Sequence, residues 1–153
     1  MSGDWLIYSY EDQGFSWLRP HLYEGLFSYK SGWLTYSPLM VFSLIGFYAL
    51  YRYKPSIFAA CLIFSLLFIY ITFAWDEWTY GGALGQRAMV QAYAVLAFPL
   101  AAFFRALMGF KTVLQIILCA LLALFVTMNL WFTRQAHQGG MLHAGFMNKA
   151  YYC

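Results

Sequence analysis

The feature that most constrains this chain is a series of four apolar stretches, each about as long as a bilayer is thick. They are Leu34–Tyr51, Pro55–Ala74, Ala88–Met108 and Val113–Phe132. A helix needs about 20 apolar residues to cross a hydrocarbon core of about 30 Å. Helices satisfy all backbone groups inside lipid, and the alternating pattern of a membrane strand is absent. The sequence therefore predicts an all-α integral membrane helical bundle with about four transmembrane helices.

The composition agrees with a lipid environment. The chain is 63% hydrophobic and only 10% charged, whereas an ordinary soluble domain carries about 25% charged residues. The net charge of +3 is small, and the basic residues are scattered instead of forming the patch that a nucleic acid would need. We therefore expect the lipid bilayer as a partner and no nucleic acid.

The charges between the stretches predict an orientation. Arg52 and Lys54 lie in the first short connection, and Arg105 and Lys111 flank the last one, whereas the middle loop is acidic. The positive-inside rule places the two basic turns in the cytoplasm. The predicted regions are an extracytoplasmic or interfacial segment 1–33, a four-helix transmembrane region 34–132 and an extracytoplasmic tail 133–153. Both termini are then expected outside the cytoplasm.

The middle loop, "WDEWTYGGALGQR" at 75–87, concentrates polar and aromatic residues at a water boundary. The rings of Trp75, Trp78 and Tyr80 suit an aromatic belt at the membrane interface. The glycines of the loop permit left-handed backbone and close approach of another group. They either only turn the chain or also expose backbone N–H groups to an anion beside the next helix.

Arg87 stands where the third stretch begins. Its guanidinium could bind a phosphate with two parallel hydrogen bonds, or the side chain could simply extend to the interface as a snorkelling arginine. Gln91 follows four residues later and would share a face with Arg87 on an α-helix. The glycine turn, Arg87 and Gln91 together form a plausible pocket for a lipid head group.

Other polar residues support packing more than chemistry. Asp76 and Glu77 are adjacent and point in different directions, so they make a poor acid–base pair, although one of them could pair with Arg87. His137 and His143 have no further ligands at a metal-binding spacing. We predict no catalytic residue, no metal site and no cofactor. Pro38 and Pro99 can kink helices, and we expect three polar residues within the stretches to face other helices, namely Gln91, Gln115 and Asn129.

A family resemblance rests on three parts of the chain. "GLFSYKSGWLTYSPLMVFSLIGFYAL" (25–50), "WDEWTYGGALGQRAMVQAYAVLAFPLAAFF" (75–104) and the final "NKAYYC" resemble the C-terminal part of bacterial membrane glycosyltransferases of GT-C type. The similarity is to the dolichyl-phosphate-mannose mannosyltransferase-like group and relatives of family 39. The YGG-x-x-GQR stretch is the most specific part.

The resemblance implies a bacterial inner-membrane protein related to enzymes that use a polyprenyl-phosphate sugar outside the cytoplasm. The implied substrate-binding residues are Tyr80, Gly81, Gly82, Gly85, Gln86, Arg87 and Gln91. The N-terminal half that carries the catalytic acid of such enzymes has no counterpart, so we expect a fragment or a separately encoded part that contributes a lipid-phosphate or acceptor site and is inactive alone. A separately encoded N-terminal membrane portion is then an expected partner. The alternative is a small four-span scaffold or interaction protein without catalysis.

Overall fold

The structure is a computed structural model that describes residues 13–81, 84–138 and 147–152, and these residues form helices and connecting turns. This part of the chain contains no β-strand, and Phe15 and Trp75 form an isolated antiparallel bridge. The helices are α1 (Leu22–Phe27), α2 (Trp33–Tyr36), α3 (Met40–Tyr53), α4 (Pro55–Ala74), α5 (Tyr93–Leu107), α6 (Thr112–His137) and α7 (Lys149–Tyr152), with a 3₁₀ helix at Arg87–Ala92 before α5. The predicted all-α membrane-type bundle is confirmed.

Three helical stretches in the described chain are long and apolar enough to cross a membrane. They are Pro55–Ala74, Arg87–Leu107 and Thr112–His137, with 20, 21 and 26 residues. The second combines the 3₁₀ helix with α5. These stretches correspond to the second, third and fourth apolar segments of the sequence, and their outward apolar surfaces suit contact with lipid.

The first apolar segment is divided instead of forming one span. Helix α2 ends at Tyr36, and α3 begins at Met40 and has 14 residues. At a rise of 1.5 Å per residue, α3 is about 21 Å long, shorter than a hydrocarbon core of about 30 Å. Pro38 explains the break, because proline lacks an N–H group and disfavours helical backbone at the residue before it. Ser37 accordingly leaves the helical region, with φ −130° and ψ 60°.

Helices α3 and α5 form the closest packing in the bundle. A Cβ atom added to Gly46 would lie 2.0 Å from the carbonyl oxygen of Pro99, so the two backbones touch at this point. Beside it, the buried hydroxyl of Ser43 donates a hydrogen bond to the carbonyl oxygen of Leu96 at 2.7 Å. Small residues of this kind let helices approach closely in membranes, where the hydrophobic effect does not drive helix association.

Helix α6 is mostly exposed among the described residues, and it forms hydrogen bonds to other elements near both of its ends. Gln115 donates its side-chain amide to the carbonyls of Leu107 and Met108 at 3.2 and 3.1 Å, and Asn129 donates to the Tyr36 carbonyl at 2.9 Å. The prediction that Gln115 and Asn129 face other helices is therefore confirmed. Only 6% of the most apolar window of α6 is buried, so most of its surface is free to contact lipid or another helix.

The segment before α1 packs on the start of the middle loop. The Ser16 amide donates to the Ala74 carbonyl at 2.7 Å, and the Asp76 amide donates to the Gly14 carbonyl at 3.1 Å. The Phe15 ring meets the Trp75 ring edge to face, with centroids 4.8 Å apart. We call this contact, between residues 13–17 and 74–76, the N-terminal seam.

Candidate functional site

A cavity of about 570 Å³ opens between the N-terminal seam, the end of α4 and the start of the 3₁₀ helix. Its volume falls within the range of about 300–1,000 Å³ that is typical of small-molecule sites. Its walls combine aromatic and aliphatic side chains with several polar groups. The lining residues are Gln13, Phe15, Phe68, Ile71, Thr72, Trp75, Glu77, Tyr80, Gly81, Arg87, Ala88 and Gln91. We call it the larger cavity.

Arg87 supplies the positive charge of this cavity. Its side chain is exposed, and it has no hydrogen bond or ion pair to any other residue that the structure describes. A Cβ atom added to Gly81 would lie 3.9 Å from Nη2 of Arg87, so the guanidinium lies over the glycine backbone. No carboxylate of the described residues pairs with this guanidinium, which can therefore bind an anion.

The turn before Arg87 has left-handed backbone at two successive residues. Tyr80 has φ 52° and Gly81 has φ 73°. A left-handed conformation is rare for tyrosine, and its hydroxyl anchors it by donating to the Thr72 carbonyl at 2.9 Å. Burial raises the pKa of the Tyr80 hydroxyl, which stays protonated and keeps this hydrogen bond. The turn is therefore tied to the end of α4, and it presents Gly81 to the cavity.

Gly85 and Gln86 lie away from the larger cavity. A Cβ atom at Gly85 would lie 3.0 Å from Cβ of Tyr36, and φ is 68°, so glycine allows both the turn and the close contact. Gln86 is buried, and its amide Nε2 donates to the Trp78 carbonyl at 2.9 Å. Of the predicted binding residues, the larger cavity thus collects Tyr80, Gly81, Arg87 and Gln91, whereas Gly82 lies outside the described residues.

Gln91 is exposed and lines the larger cavity together with Phe68 and Ile71 of α4, and its packing against another helix stays a prediction. Its local geometry differs from the expected one: Arg87–Ala92 is a 3₁₀ helix, not the first turn of an α-helix. Residues three apart align on a 3₁₀ helix, and the predicted four-residue relation does not apply. Arg87 and Gln91 nevertheless line the same cavity.

The two loop carboxylates have different surroundings, and neither forms an ion pair with Arg87 among the described contacts. Asp76 accepts hydrogen bonds from the Ser16 hydroxyl at 2.5 Å and the Gly14 amide at 2.9 Å. The hydrogen bonds from Ser16 and Gly14, with a smaller electrostatic contribution from His21, hold the pKa of Asp76 below its usual range. Glu77 accepts from the Thr79 hydroxyl and lines the larger cavity. Asp76 therefore secures the N-terminal seam, and Glu77 is the acid that lines the larger cavity.

The seam also uses rings that the sequence favoured for a membrane belt. Trp75 packs against Phe15, and Trp78 stacks on His21 with centroids 6.2 Å apart. Four further residues line the larger cavity although the sequence patterns did not indicate them as binding residues, namely Gln13, Phe15, Thr72 and Glu77. No sequence signal available in one chain links residue 15 to residue 75, because the contact spans sixty positions and follows no local period.

The described residues contain no group of three or more histidine, cysteine or acidic side chains that could hold a metal ion. The larger cavity combines apolar walls with a carboxylate and a guanidinium that has no partner among the described residues. Five further lining side chains can form hydrogen bonds, namely Gln13, Thr72, Trp75, Tyr80 and Gln91. This arrangement can bind an amphiphilic molecule.

Comparisons with protein-family models, with curated proteins and with solved structures found no match for the chain.

Proposed function

We propose that this chain is a membrane component of a glycosyltransferase-like system that binds a polyprenyl-phosphate sugar or its acceptor. In this proposal Arg87 binds the lipid phosphate, and the larger cavity receives the first part of the lipid chain. The component contributes binding and positioning, not the bond-breaking chemistry. The site would lie on the extracytoplasmic side of a bacterial inner membrane, as the basic turns at the other ends of the helices suggest.

The single observation that carries the proposal is a guanidinium that has no partner among the described residues and lines a largely apolar cavity. Phe68 and Ile71 of α4 line the same cavity as Arg87. Ile71 is 46% exposed on the outer surface of the helix, so the wall continues onto the face that suits lipid. A lipid phosphate combines an anionic head with a long apolar chain, and it matches both parts of this surface.

Glu77 is consistent with this proposal only if its charge does not outweigh that of Arg87. Its carboxylate is exposed and accepts the Thr79 hydroxyl, so water screens its repulsion of an anion. The guanidinium of Arg87 can donate two hydrogen bonds to a phosphate, whereas Glu77 affects the phosphate only by electrostatic repulsion at a distance. The balance makes Glu77 a residue that limits affinity, and Glu77→Gln is expected to tighten phosphate binding two- to fivefold, roughly the effect of one screened charge.

Equilibrium binding of undecaprenyl phosphate to the detergent-solubilised chain tests the proposal. Arg87→Ala should weaken binding at least tenfold, because charge-assisted hydrogen bonds contribute about 1.5–3 kcal/mol and 1.4 kcal/mol corresponds to a factor of ten. Arg87→Lys should fall between the wild type and Arg87→Ala, since lysine keeps the charge but loses the paired donors.

Arg105→Ala is the matched control. Arg105 lies in the last turn of α5, where its guanidinium is 4.6 Å from the centre of the Tyr53 ring. It has the same side chain near a membrane boundary but does not line the larger cavity, so its removal should leave binding unchanged. Equal affinity of the wild type and Arg87→Ala would contradict a phosphate site at Arg87.

A scaffold function is the second candidate, and the exposed surface of α6 favours it. With 6% of its apolar window buried, α6 has a face long enough to pack against another transmembrane helix. Cross-linking in native membranes through cysteines introduced at Ile116 and Leu124, both more than half exposed, tests this candidate. A specific protein adduct together with no lipid-phosphate binding would favour the scaffold over the lipid site.

A further inference from the structure

A second cavity of about 190 Å³ shares Arg87 with the larger one. It lies where the 3₁₀ helix and the start of α5 meet the last turns of α6 and the end of α2. Its walls carry more polar groups for their size, among them Gln86, Tyr93, Asn129 and Thr133. We call it the smaller cavity. Sites that hold a whole ligand typically have volumes of about 300 Å³ or more. The smaller cavity therefore suits one small group of a ligand.

Gln86 is the observation that points to a ligand in this cavity. The side chain is 5% exposed, and its Nε2 is engaged by the Trp78 carbonyl. Its oxygen Oε1 is buried without a hydrogen-bond partner among the described residues. Exchanging the two amide atoms would place oxygen against the Trp78 carbonyl, so the hydrogen bond fixes the orientation. A buried acceptor without a donor costs free energy unless a bound molecule supplies one.

Asn129 offers a second acceptor in the same cavity. Its Nδ2 donates to the Tyr36 carbonyl at 2.9 Å, and its side-chain oxygen therefore points away from that bond, with no partner among the described residues. The Tyr93 hydroxyl, which donates to the Ser37 hydroxyl at 3.3 Å, also lines the cavity. Besides the donors of Arg87, the cavity thus offers acceptors to an occupant.

The neighbouring charge decides what kind of donor fits. Arg87 also lines this cavity, and a positive charge disfavours an ammonium group nearby while leaving neutral hydroxyls unaffected. The occupant with the best match is therefore a neutral, hydroxyl-bearing group. Because Arg87 lines both cavities, a phosphate on Arg87 can connect an apolar chain in one cavity to a hydroxylated group in the other.

We propose that the smaller cavity is a subsite for the hydroxylated head group of a lipid phosphate ester, with Gln86 and Asn129 accepting hydrogen bonds from its hydroxyls. The inference rests on the proposed function, because it takes the phosphate to lie at Arg87. Gln86 and Asn129 are specificity-determining residues in this arrangement. Two sources share this chemistry, namely a polyprenyl-phosphate hexose and a phospholipid such as phosphatidylglycerol.

Two ligand pairs test the subsite with the full chain in detergent. The first pair is undecaprenyl phosphate and its hexose ester, and the second is phosphatidate and phosphatidylglycerol. The wild type should bind at least one hydroxylated ester about fivefold or more tightly than its partner without the head group. The pair that shows the preference identifies the source. Equal affinities within both pairs would overturn the subsite and leave the phosphate site intact.

Gln86→Met removes the acceptor while keeping the length of the side chain. It should abolish the preference within the pair and leave the affinity for the ligand without a head group within about threefold. That second affinity also reports whether the loop is folded, because Gln86→Met loses the bond to the Trp78 carbonyl. A preference that persists in Gln86→Met excludes Gln86 as its acceptor and overturns the assignment.

Val90→Trp tests the same cavity by filling it without altering Gln86. Val90 lines the smaller cavity and is 57% exposed, so a larger ring can be accommodated there without disturbing the core. It should also remove the preference, whereas Val113→Trp, an equivalent exchange at a residue 70% exposed at the start of α6, should not. If Val90→Trp keeps the preference, the head group lies elsewhere. If no lipid phosphate binds to the wild type, the proposed function fails together with the subsite.

Discussion

The crossing of α3 and α5 and the N-terminal seam hold the molecule together in opposite ways. At the crossing, Gly46 lies against Pro99 and a buried hydroxyl from Ser43 reaches Leu96. At the seam, an exposed carboxylate of Asp76 gathers donors from Gly14 and Ser16. The first contact depends on the absence of side-chain atoms, and the second depends on a charge.

The difference follows from the two solvents. Inside an apolar medium, a small residue permits dispersion contacts between backbones, and charge would be costly. At the water boundary, hydrogen bonds to a carboxylate form against competing water and contribute less. We therefore expect mutations at the crossing to alter the stability of the whole bundle, and mutations at the seam to alter only the wall of the larger cavity.

The strongest test of this comparison is Gly46→Ala. The added methyl would lie 2.0 Å from the Pro99 carbonyl oxygen, so the two helices must separate. We expect a loss of about 3 kcal/mol in the free energy of unfolding, the upper end of the usual cost of overpacking. Denaturant titration in detergent, followed by circular dichroism, measures this change.

Gly109→Ala is the control for Gly46→Ala. A Cβ atom there would meet only the Ala106 carbonyl oxygen, at 3.4 Å, and the effect should stay within about 0.5 kcal/mol. If the two substitutions have equal effects, the α3–α5 crossing is not the most tightly constrained contact of the bundle.

Ser43→Ala should have a smaller effect at the same crossing. It removes the hydrogen bond to the Leu96 carbonyl, and hydrogen bonds between membrane helices contribute about 0.6 kcal/mol on average and up to about 1.7 kcal/mol. The same titration measures the loss. Ser56→Ala, at an exposed serine in the first turn of α4, should change stability by less, and a larger effect at Ser56 would contradict the assignment.

The smallest expected effect is at the seam and depends on pH. The folded-state pKa of Asp76 is lowered, so its contribution is fully present above its unfolded pKa of about 3.9 and is lost as pH falls through the folded value. Acidification from pH 7 to pH 3 should lower the protection factor of the Ser16 amide, which is the intrinsic hydrogen-exchange rate at each pH divided by the observed rate, while the helices stay protected. Asp76→Asn should show a lower protection factor already at pH 7 and lose most of this pH dependence.

Glu77→Gln is the control at the seam, since Glu77 is the neighbouring carboxylate and bonds to Thr79 instead. It should preserve the pH response of the Ser16 amide. A response that disappears in Glu77→Gln and persists in Asp76→Asn would show that the wrong carboxylate has been assigned to the seam.

Sequence patterns predicted the helical part of this structure well because those patterns are local. Apolar length located α4, the Arg87–Leu107 stretch and α6. The glycine-rich loop was correctly predicted to turn, and Gly81 and Gly85 are left-handed. The first apolar segment was predicted as one span, although Pro38 divides it. A proline effect of this kind is visible in a sequence, but whether it kinks or divides a helix depends on the neighbouring helices.

The candidate site was only partly predictable. The sequence predicts that Gln91 shares an α-helical face with Arg87. The two residues instead belong to a 3₁₀ helix, and both line the larger cavity. The loop pattern also predicts Gln86 as a binding residue of the same site, whereas its side chain lines the smaller cavity. One residue along the backbone is enough to redirect a side chain, and its final surroundings depend on helices that are distant in sequence.

Apolar stretches and their breaks determined, from the sequence alone, that this chain forms membrane-length helices joined by short turns. The tertiary structure decided that Asp76 bonds to the N-terminal seam, and that among the described residues Arg87 has no partner and the buried oxygen of Gln86 has no donor. The physical reason is distance along the chain. Helix length follows from the solvent preference of consecutive residues, whereas the pairing of a charge or an amide depends on partners that only folding brings within hydrogen-bond reach.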